Sequence, residues 1–569
     1  METSGNSDTT AAEKASAKAD SGSAKSGKSP KSGGYAINGG SGKSGRSSSQ
    51  HIMPRQWVLF LILLIVFSLI AYLAYGYITT KRISLPGQST DEITIGTTMA
   101  PANFNLAAST DDATSQALQD NVYQSLLKRD PNQNVPASAS PLLDSWSLSP
   151  DGLTYTFHLK DGIYFSNGSK LTASDVVWSL KTGIQRNEAA YAPLRAAKSV
   201  ENQGERTVII RLSSPLPQLA WLLCGRLGVV YSQAAGGPQD ASAVGTGPYT
   251  VSKLSPAKAG AKSQGGESAP ASLKLTARRD HQYASFRGSN VTFRYYSDPE
   301  QAWKDVQAAT IDAYLPAQPT SQKTFSQAKS SMNLTVDTSG SSRRVGLAFN
   351  SSADSVFSEQ RFREAYRYFL DQNALISATG LHAHALTGPI PSVEPGFQDF
   401  TSQYHKDVQA GQKLLSYFGY RPRLFLCPKS LEKIGRAVNA QLAAAGEHLN
   451  LTVVDDAAFT KQVLQDKKYD LAIVPFSGSH DMDDLTNPDG FLNFTDSVTD
   501  QNRAALGLSR NDSQYQSNLQ KTAARLTDQA AVAWLFEEDA LVIHQNSLTS
   551  IRTTSPSSYL PLADGLQKK

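Results

Sequence analysis

The sequence predicts an α/β protein of more than one domain, held behind an N-terminal transmembrane helix. Three observations carry this. The chain has 569 residues, 40% hydrophobic and 18% charged, an ordinary globular composition with length for more than one core. Residues Trp57 to Ile78 read WVLFLILLIVFSLIAYLAYGYI, without a charged side chain. Further on, the apolar runs Leu424–Leu426, Leu451–Val454 and Leu471–Val474 are separated by helically spaced segments at Lys433–Leu449 and Ala457–Lys467, the pattern of an α/β lobe.

The formal net charge is +4. Residues 1–56 hold eight Lys/Arg and four Asp/Glu, so this segment accounts for the whole excess and the remainder is neutral. That balance excludes an electrostatic case for nucleic acid in the folded part. Residues 1–56 are Ser, Gly, Ala and Lys with few large apolar side chains, a composition that predicts disorder. Within them, Gly22 to Ser29 matches the phosphate-loop pattern, but no strand or helix flanks it, so the match is rejected.

A helix over Trp57–Ile78 rises 1.5 Å per residue and spans a hydrocarbon core of roughly 30 Å. Trp57 and Tyr72, Tyr75 and Tyr77 suit the two interfaces, and the basic flank before the helix puts the N-terminus in the cytoplasm. A cleaved signal peptide is the competing reading, with a shorter apolar region ending at a small-x-small site.

Leu142 to Leu180 reads LLDSWSLSPDGLTYTFHLKDGIYFSNGSKLTASDVVWSL. Pro150-Asp151-Gly152, Asp161-Gly162 and Asn167-Gly168 are turns. Leu153 to Leu159 alternates as a strand with one buried face, and Ile163-Tyr164-Phe165 continues it as a meander. Thr172 is the expected N-cap of a helix from Ala173, with Asp175 in the capping-box position.

This order of turns, strands and capped helix resembles the extracellular solute-binding proteins of the oligopeptide, dipeptide and nickel class, the receptors of ABC-type importers. Gly245-Thr246-Gly247-Pro248-Tyr249 is similar to the GTGPY crossing of the same family. Softer matches are Val122-Tyr123 with Leu126-Leu127, Arg279 to Tyr283, and Arg344 to Asn350 followed by a helix at Phe362–Leu370, with Arg361 or Arg363 in the family's arginine place. The resemblance covers roughly residues 91 to 565. It implies a two-lobed periplasmic-binding-protein-like α/β fold (type II, large peptide-binding class), with lobes joined by crossing strands that close over a ligand. No cysteine follows the apolar segment, so the transmembrane helix replaces the lipid anchor of Gram-positive relatives.

The expected organisation is a tail at 1–56, the helix at 57–78, a linker at 79–90, lobe one at 91–345 with a flexible insertion at 256–272, lobe two at 346–533, and a return to lobe one at 534–569. The resemblance implies ligand-facing loops at Asn103, Phe104, Thr110 and Asp111 in lobe one and at Ser477, Gly478, Asp481 and Asp484 in lobe two. In peptide-binding relatives an aspartate in the second loop meets the ligand's α-ammonium. Counted from the preceding strand that position is Ser479; counted back from Phe491 it is Asp484. A calcium-like loop is another reading of these acids.

No catalytic constellation is found. Two S-x-x-K matches, at Ser326–Lys329 and Ser430–Lys433, both follow the only K-T-G at Lys181–Gly183, the reverse of the penicillin-recognising order. His382-x-His384 offers two metal ligands without a third close in sequence, so no metal and no cofactor is expected. Cys224 and Cys427 are read as two buried thiols, with one long-range disulfide as the alternative. The expected protein is a non-enzymatic, membrane-anchored extracellular receptor for a peptide or similar small solute, partnered by an ABC permease. The alternative is a sensory or protein-interaction module on the same lobes.

Overall fold

The computed structural model describes residues 92–568 except 99–103, 108–116, 131–135, 196, 239–242, 257–269, 317–319, 417–422, 477–481, 550, 552–561 and 563–565, together with 64 and 66–68. The tail at 1–56 and nearly all of Trp57–Ile78 lie outside the described residues. Leu64 and residues 66–68 are helical, and among the described residues no helix is long and apolar enough to cross a membrane.

The first eight strands are β1 (Glu92–Thr97), β2 (Leu143–Leu148), β3 (Thr154–Leu159), β4 (Ala197–Gln203), β5 (Thr207–Leu212), β6 (Tyr249–Pro256), β7 (Pro270–Ala277) and β8 (Asn290–Tyr295). They are followed by β9 (Ala313–Leu315), β10 (Leu334–Phe349), β11 (Ala383–Ala385), β12 (Phe425–Pro428), β13 (Leu451–Val454), β14 (Leu471–Phe476) and β15 (Val532–Gln545). Strands β2-β3-β5-β4 form an antiparallel sheet of their own, and the other eleven form one sheet ordered β13-β12-β14-β10-β15-β9-β1-β8-β7-β6, with β11 added against β15.

The stretch from Leu142 folds as its turns dictate. Gly152, Gly162 and Gly168 all have positive φ, which a side chain would resist. Tyr155, Phe157 and Leu159 are buried, while Thr154, Thr156 and His158 face outward to varying degrees, the alternation of a half-buried strand. Thr172 caps the helix Ala173–Gln185: its N–H and its hydroxyl both donate to Asp175 Oδ2 at 2.9 Å. Ile163–Phe165 does not extend the meander as a strand. Tyr164 makes only an isolated bridge to Lys170 around the Asn167-Gly168 turn.

GTGPY proves to be a packing motif. A Cβ on Gly247 would stand 2.4 Å from the Asn121 carbonyl oxygen and one on Gly245 2.0 Å from that of Val122, so only glycine lets these backbones approach. Tyr283 donates to the Thr246 carbonyl at 2.7 Å and Arg278 to that of Gly247 at 3.0 Å, which ties the Arg279–Tyr283 segment to the same turn. Strand β7 begins at Pro270, two residues before the expected end of the insertion, and pairs to Pro256.

The apolar cores separate along β10 and β15. One holds Ile93, Tyr123, Phe157, Ile210, Phe293 and Val542. A smaller one holds Trp303, Ile311, Leu334 and Ile543. Two more hold Val345, Leu347, Phe349, Ile434, Leu471 and Leu535, and Leu426, Val474, Leu519, Val532 and Trp534. Thus Leu334 at one end of β10 and Val542 and Ile543 at one end of β15 belong to lobe one, while the opposite ends of both strands belong to lobe two. Cys224 and Cys427 are free and buried in different cores, which excludes the disulfide alternative. Burial pushes both thiols up to about 12.

Candidate functional site

Between those cores the two long strands carry charge instead of apolar side chains. Their antiparallel ladder runs from Leu334 opposite Gln545 to Gly340 opposite Asp539, breaks, and resumes at Arg344 opposite Glu537. Ser341, Ser342 and Arg343 therefore face Glu538 alone, a bulge that bends and twists the ribbon. Ser341 Oγ donates to the Glu538 carbonyl at 2.7 Å, and Arg343 Nε lies 3.4 Å from Glu538 Oε2. Burial holds the Glu538 carboxyl above its ordinary pKa, against the pull of Arg343.

Arg344 is 1% exposed. Its guanidinium lies 5.4 Å from the ring centroids of both Phe476 and Trp534 and donates to the Ser342 carbonyl at 3.0 Å. A planar, weakly hydrated cation tolerates this aromatic setting better than an ammonium would. The loop that carries Pro389, Pro391 and Pro395 packs here. Ser392 N–H donates to Glu537 Oε2 at 2.9 Å, and a Cβ on Gly340 would stand 2.0 Å from Val393 Cγ1. On the other side of β15, Asp539 Oδ2 lies 2.9 Å from His384 Nε2 and 3.1 Å from His382 Nε2. Burial, with His384 nearby, holds the His382 imidazole below its ordinary pKa, against the pull of Asp539.

Of the residues expected to face ligand, Asn103, Thr110, Asp111, Ser477, Gly478 and Asp481 lie outside the described residues. Phe104 is 2% exposed and sits in the lobe-one core. Its neighbour Asn105 is the polar anchor of that loop: its amide donates to Glu188 Oε1 at 2.9 Å and its carbonyl accepts from Tyr231 Oη at 3.2 Å. Asp484 is exposed on the short helix Met482–Thr486, after β14. Arg363, rather than Arg361, fills the buried arginine place, donating to the carbonyls of Phe357, Ser358 and Gln529. The sequence reading missed the crossing charges. The signal was Glu537-Glu538-Asp539, three consecutive acids inside an otherwise apolar strand.

The profile of the bacterial extracellular solute-binding proteins, family 5 Middle, matches residues 139–502. This chain belongs to that family. Two curated relatives match this family 5 solute-binding protein over four-fifths of its length or more. It is 23% identical to heme-binding protein A of Haemophilus influenzae over 85% of this chain and 91% of that protein. It is 24% identical to di/tripeptide-binding protein 4 of Pseudomonas aeruginosa over 80% and 88%. The crystal structure of the ABC transporter substrate-binding protein CtaP from Listeria monocytogenes superposes with a TM-score of 0.71 at 20% identity, covering 84% of this chain and all of that one. The two-lobed α/β architecture is thereby that of the periplasmic-binding-protein class.

Proposed function

We propose that this family 5 solute-binding protein is a membrane-anchored extracellular receptor that closes its two lobes over a peptide or similar small solute and delivers it to an ABC permease. The crossing ribbon is the observation that supports it most. Two continuous strands join separate cores, and their ladder breaks midway, where a bulge absorbs rotation at small cost. The di/tripeptide-binding relative supports a peptide as the solute class. The charge-free Trp57–Ile78 and its basic flank support the anchor with the N-terminus inside. The loops Asn103–Thr114 and Ser477–Asp484 supply the ligand contacts, and an aspartate of the second, Asp484 before Asp481, pairs with the ligand's ammonium. No covalent chemistry is asked of these residues.

Mass spectrometry of the solute that co-purifies with the full-length chain identifies the ligand. Calorimetric titration of Asp484→Ala and Asp481→Ala with it then tests the amine contact. Removing the partner of a desolvated ammonium costs roughly 3–5 kcal/mol, which at about 1.4 kcal/mol per decade is at least about a hundredfold in affinity. If both variants bind as tightly as the parent, the ammonium contact is wrong. N-terminal sequencing from membranes tests the anchor, since a new terminus between Ala71 and Gln88 ends that claim.

A further inference from the structure

The strand β11 places His384 opposite Glu537 on β15, and His382 stands two residues before it. Side chains two apart on an extended chain share a face. Asp539, on the next turn of pleat along β15, meets both rings. The three ligand atoms lie within 4.8 Å of one another.

One ring nitrogen of this group is buried without a hydrogen bond. His382 Nδ1 is 3.0 Å from Gln322 Oε1 and donates to it in the Nδ1–H tautomer. Its Nε2 lies 3.1 Å from Asp539 Oδ2. It is buried and makes no hydrogen bond there. The ring cannot readily turn away, because it stacks on Phe325 with centroids 3.6 Å apart and planes at 11°.

We propose that His382 Nε2, His384 Nε2 and Asp539 Oδ2 bind one divalent first-row transition ion, of the Zn2+ or Ni2+ type, at the junction of the two lobes. Two imidazoles and one carboxylate are a borderline donor set that suits these ions and not Ca2+ or Mg2+. Small rotamer changes bring all three atoms to the roughly 2.0–2.2 Å that such bonds require. Gln322 acts as the outer partner that fixes the His382 tautomer. His384 is well exposed on its ring, which leaves an open side for solvent or an exchanging ligand.

The position gives the ion a mechanical meaning. Leu381 and Ala383 pack on a lobe-two core. Ala328, on the helix Gln322–Lys329 that supplies Gln322 and Phe325, packs in a lobe-one core. Asp539 stands opposite Gly340, where the crossing ladder breaks. A bound ion would therefore fasten β11 to the crossing strand β15, with Gln322 linking His382 to the lobe-one helix, and on the proposed closure would stiffen the hinge.

The test is calorimetric titration of Zn2+ into the purified full-length chain after chelator dialysis, with the thermal unfolding midpoint as a second readout. The expected result is saturable binding of one ion per chain with a rise in midpoint. Affinity should fall by at least about tenfold in His384→Ala and Asp539→Asn, and in Gln322→Ala by about tenfold through loss of orientation alone. His384→Ala alters an exposed side chain, so its folding is not at issue. The proposal is overturned if the parent does not bind, or if His384→Ala and Asp539→Asn titrate like the parent, which would assign binding to others of the nine histidines.

Discussion

The four-stranded sheet and the crossing ribbon are both antiparallel, yet opposite forces hold them. On the sheet, Tyr155, Phe157, Leu159, Val208, Ile210 and Leu212 fill a single apolar core. On the ribbon, Arg343, Arg344, Glu537, Glu538 and Asp539 occupy the span between cores, and the ladder itself is interrupted. Apolar burial is non-directional and penalises any opening, so the sheet moves as one body. Charge pairs and hydrogen bonds depend on geometry and net only a little free energy. On the proposed closure, the molecule bends at such a ribbon, where it has withheld apolar side chains.

The contrast is broken most severely by Phe157→Ala. Phe157 is fully buried and stacks with Tyr155 at 6.1 Å, so truncation should cost about 3–5 kcal/mol in denaturant unfolding. A loss below about 1 kcal/mol would mean that the sheet is not a rigid core.

Next in size is Asp496→Ala, within lobe two. Asp496 caps the helix Ser497–Gly507 through Thr499 N–H at 2.8 Å and takes two hydrogen bonds from Arg525, at 2.8 and 2.7 Å. The Arg525 guanidinium, with help from Thr499, holds its carboxyl well below the usual range. A depressed folded-state pKa stabilises above the unfolded value near 4 and is lost as pH falls below it. The variant should cost about 1–2 kcal/mol at neutral pH, and parent and variant should converge in acid. Parallel stability curves from pH 6 to pH 2 would remove the linkage.

The smallest effect is expected at the ribbon. Glu538 has its pKa raised by burial, so the folded state holds its proton longer than the unfolded one. Its charge penalty is absent below the unfolded value near 4.5 and grows as pH rises toward the folded value. Glu538→Gln should remove that decline while changing stability at low pH by less than about 1 kcal/mol. Opposite pH slopes for the two acids sharpen the contrast. A large loss near neutral pH, where the carboxylate is ionised, would show that the Arg343 pair is itself a main support of the crossing.

What the sequence disclosed follows the distance over which each feature is determined. The turns at Gly152, Gly162 and Gly168 and the Thr172–Asp175 cap are fixed by neighbours a few residues away, and they were readable. Arg344 to Asn350 was readable as a strand, and Trp534 to Ile543 as a late apolar segment returning to lobe one. Their pairing was not, because Leu334 meets Gln545 and Arg344 meets Glu537 only after two lobes have folded. The same reason hid Asp539 from the two histidines. The segment 457–467 was read as one helix; it forms Asp456–Phe459 and then a wider π turn over Thr460–Gln465. Of the predicted ligand-facing residues, only Phe104 and Asp484 fall among the described residues, and Phe104 serves the core.

The two cysteines give each lobe its own clock. Cys224 is 5% exposed and Cys427 fully buried, and a thiol whose pKa is pushed up to about 12 is almost entirely unreactive at neutral pH while its core is closed. Labelling by a thiol reagent therefore proceeds only through local opening, and its rate reports the free energy of that opening. Because the two thiols belong to separate cores, peptide-level quantification of the unaltered chain times the opening of lobe one and of lobe two independently, with and without solute.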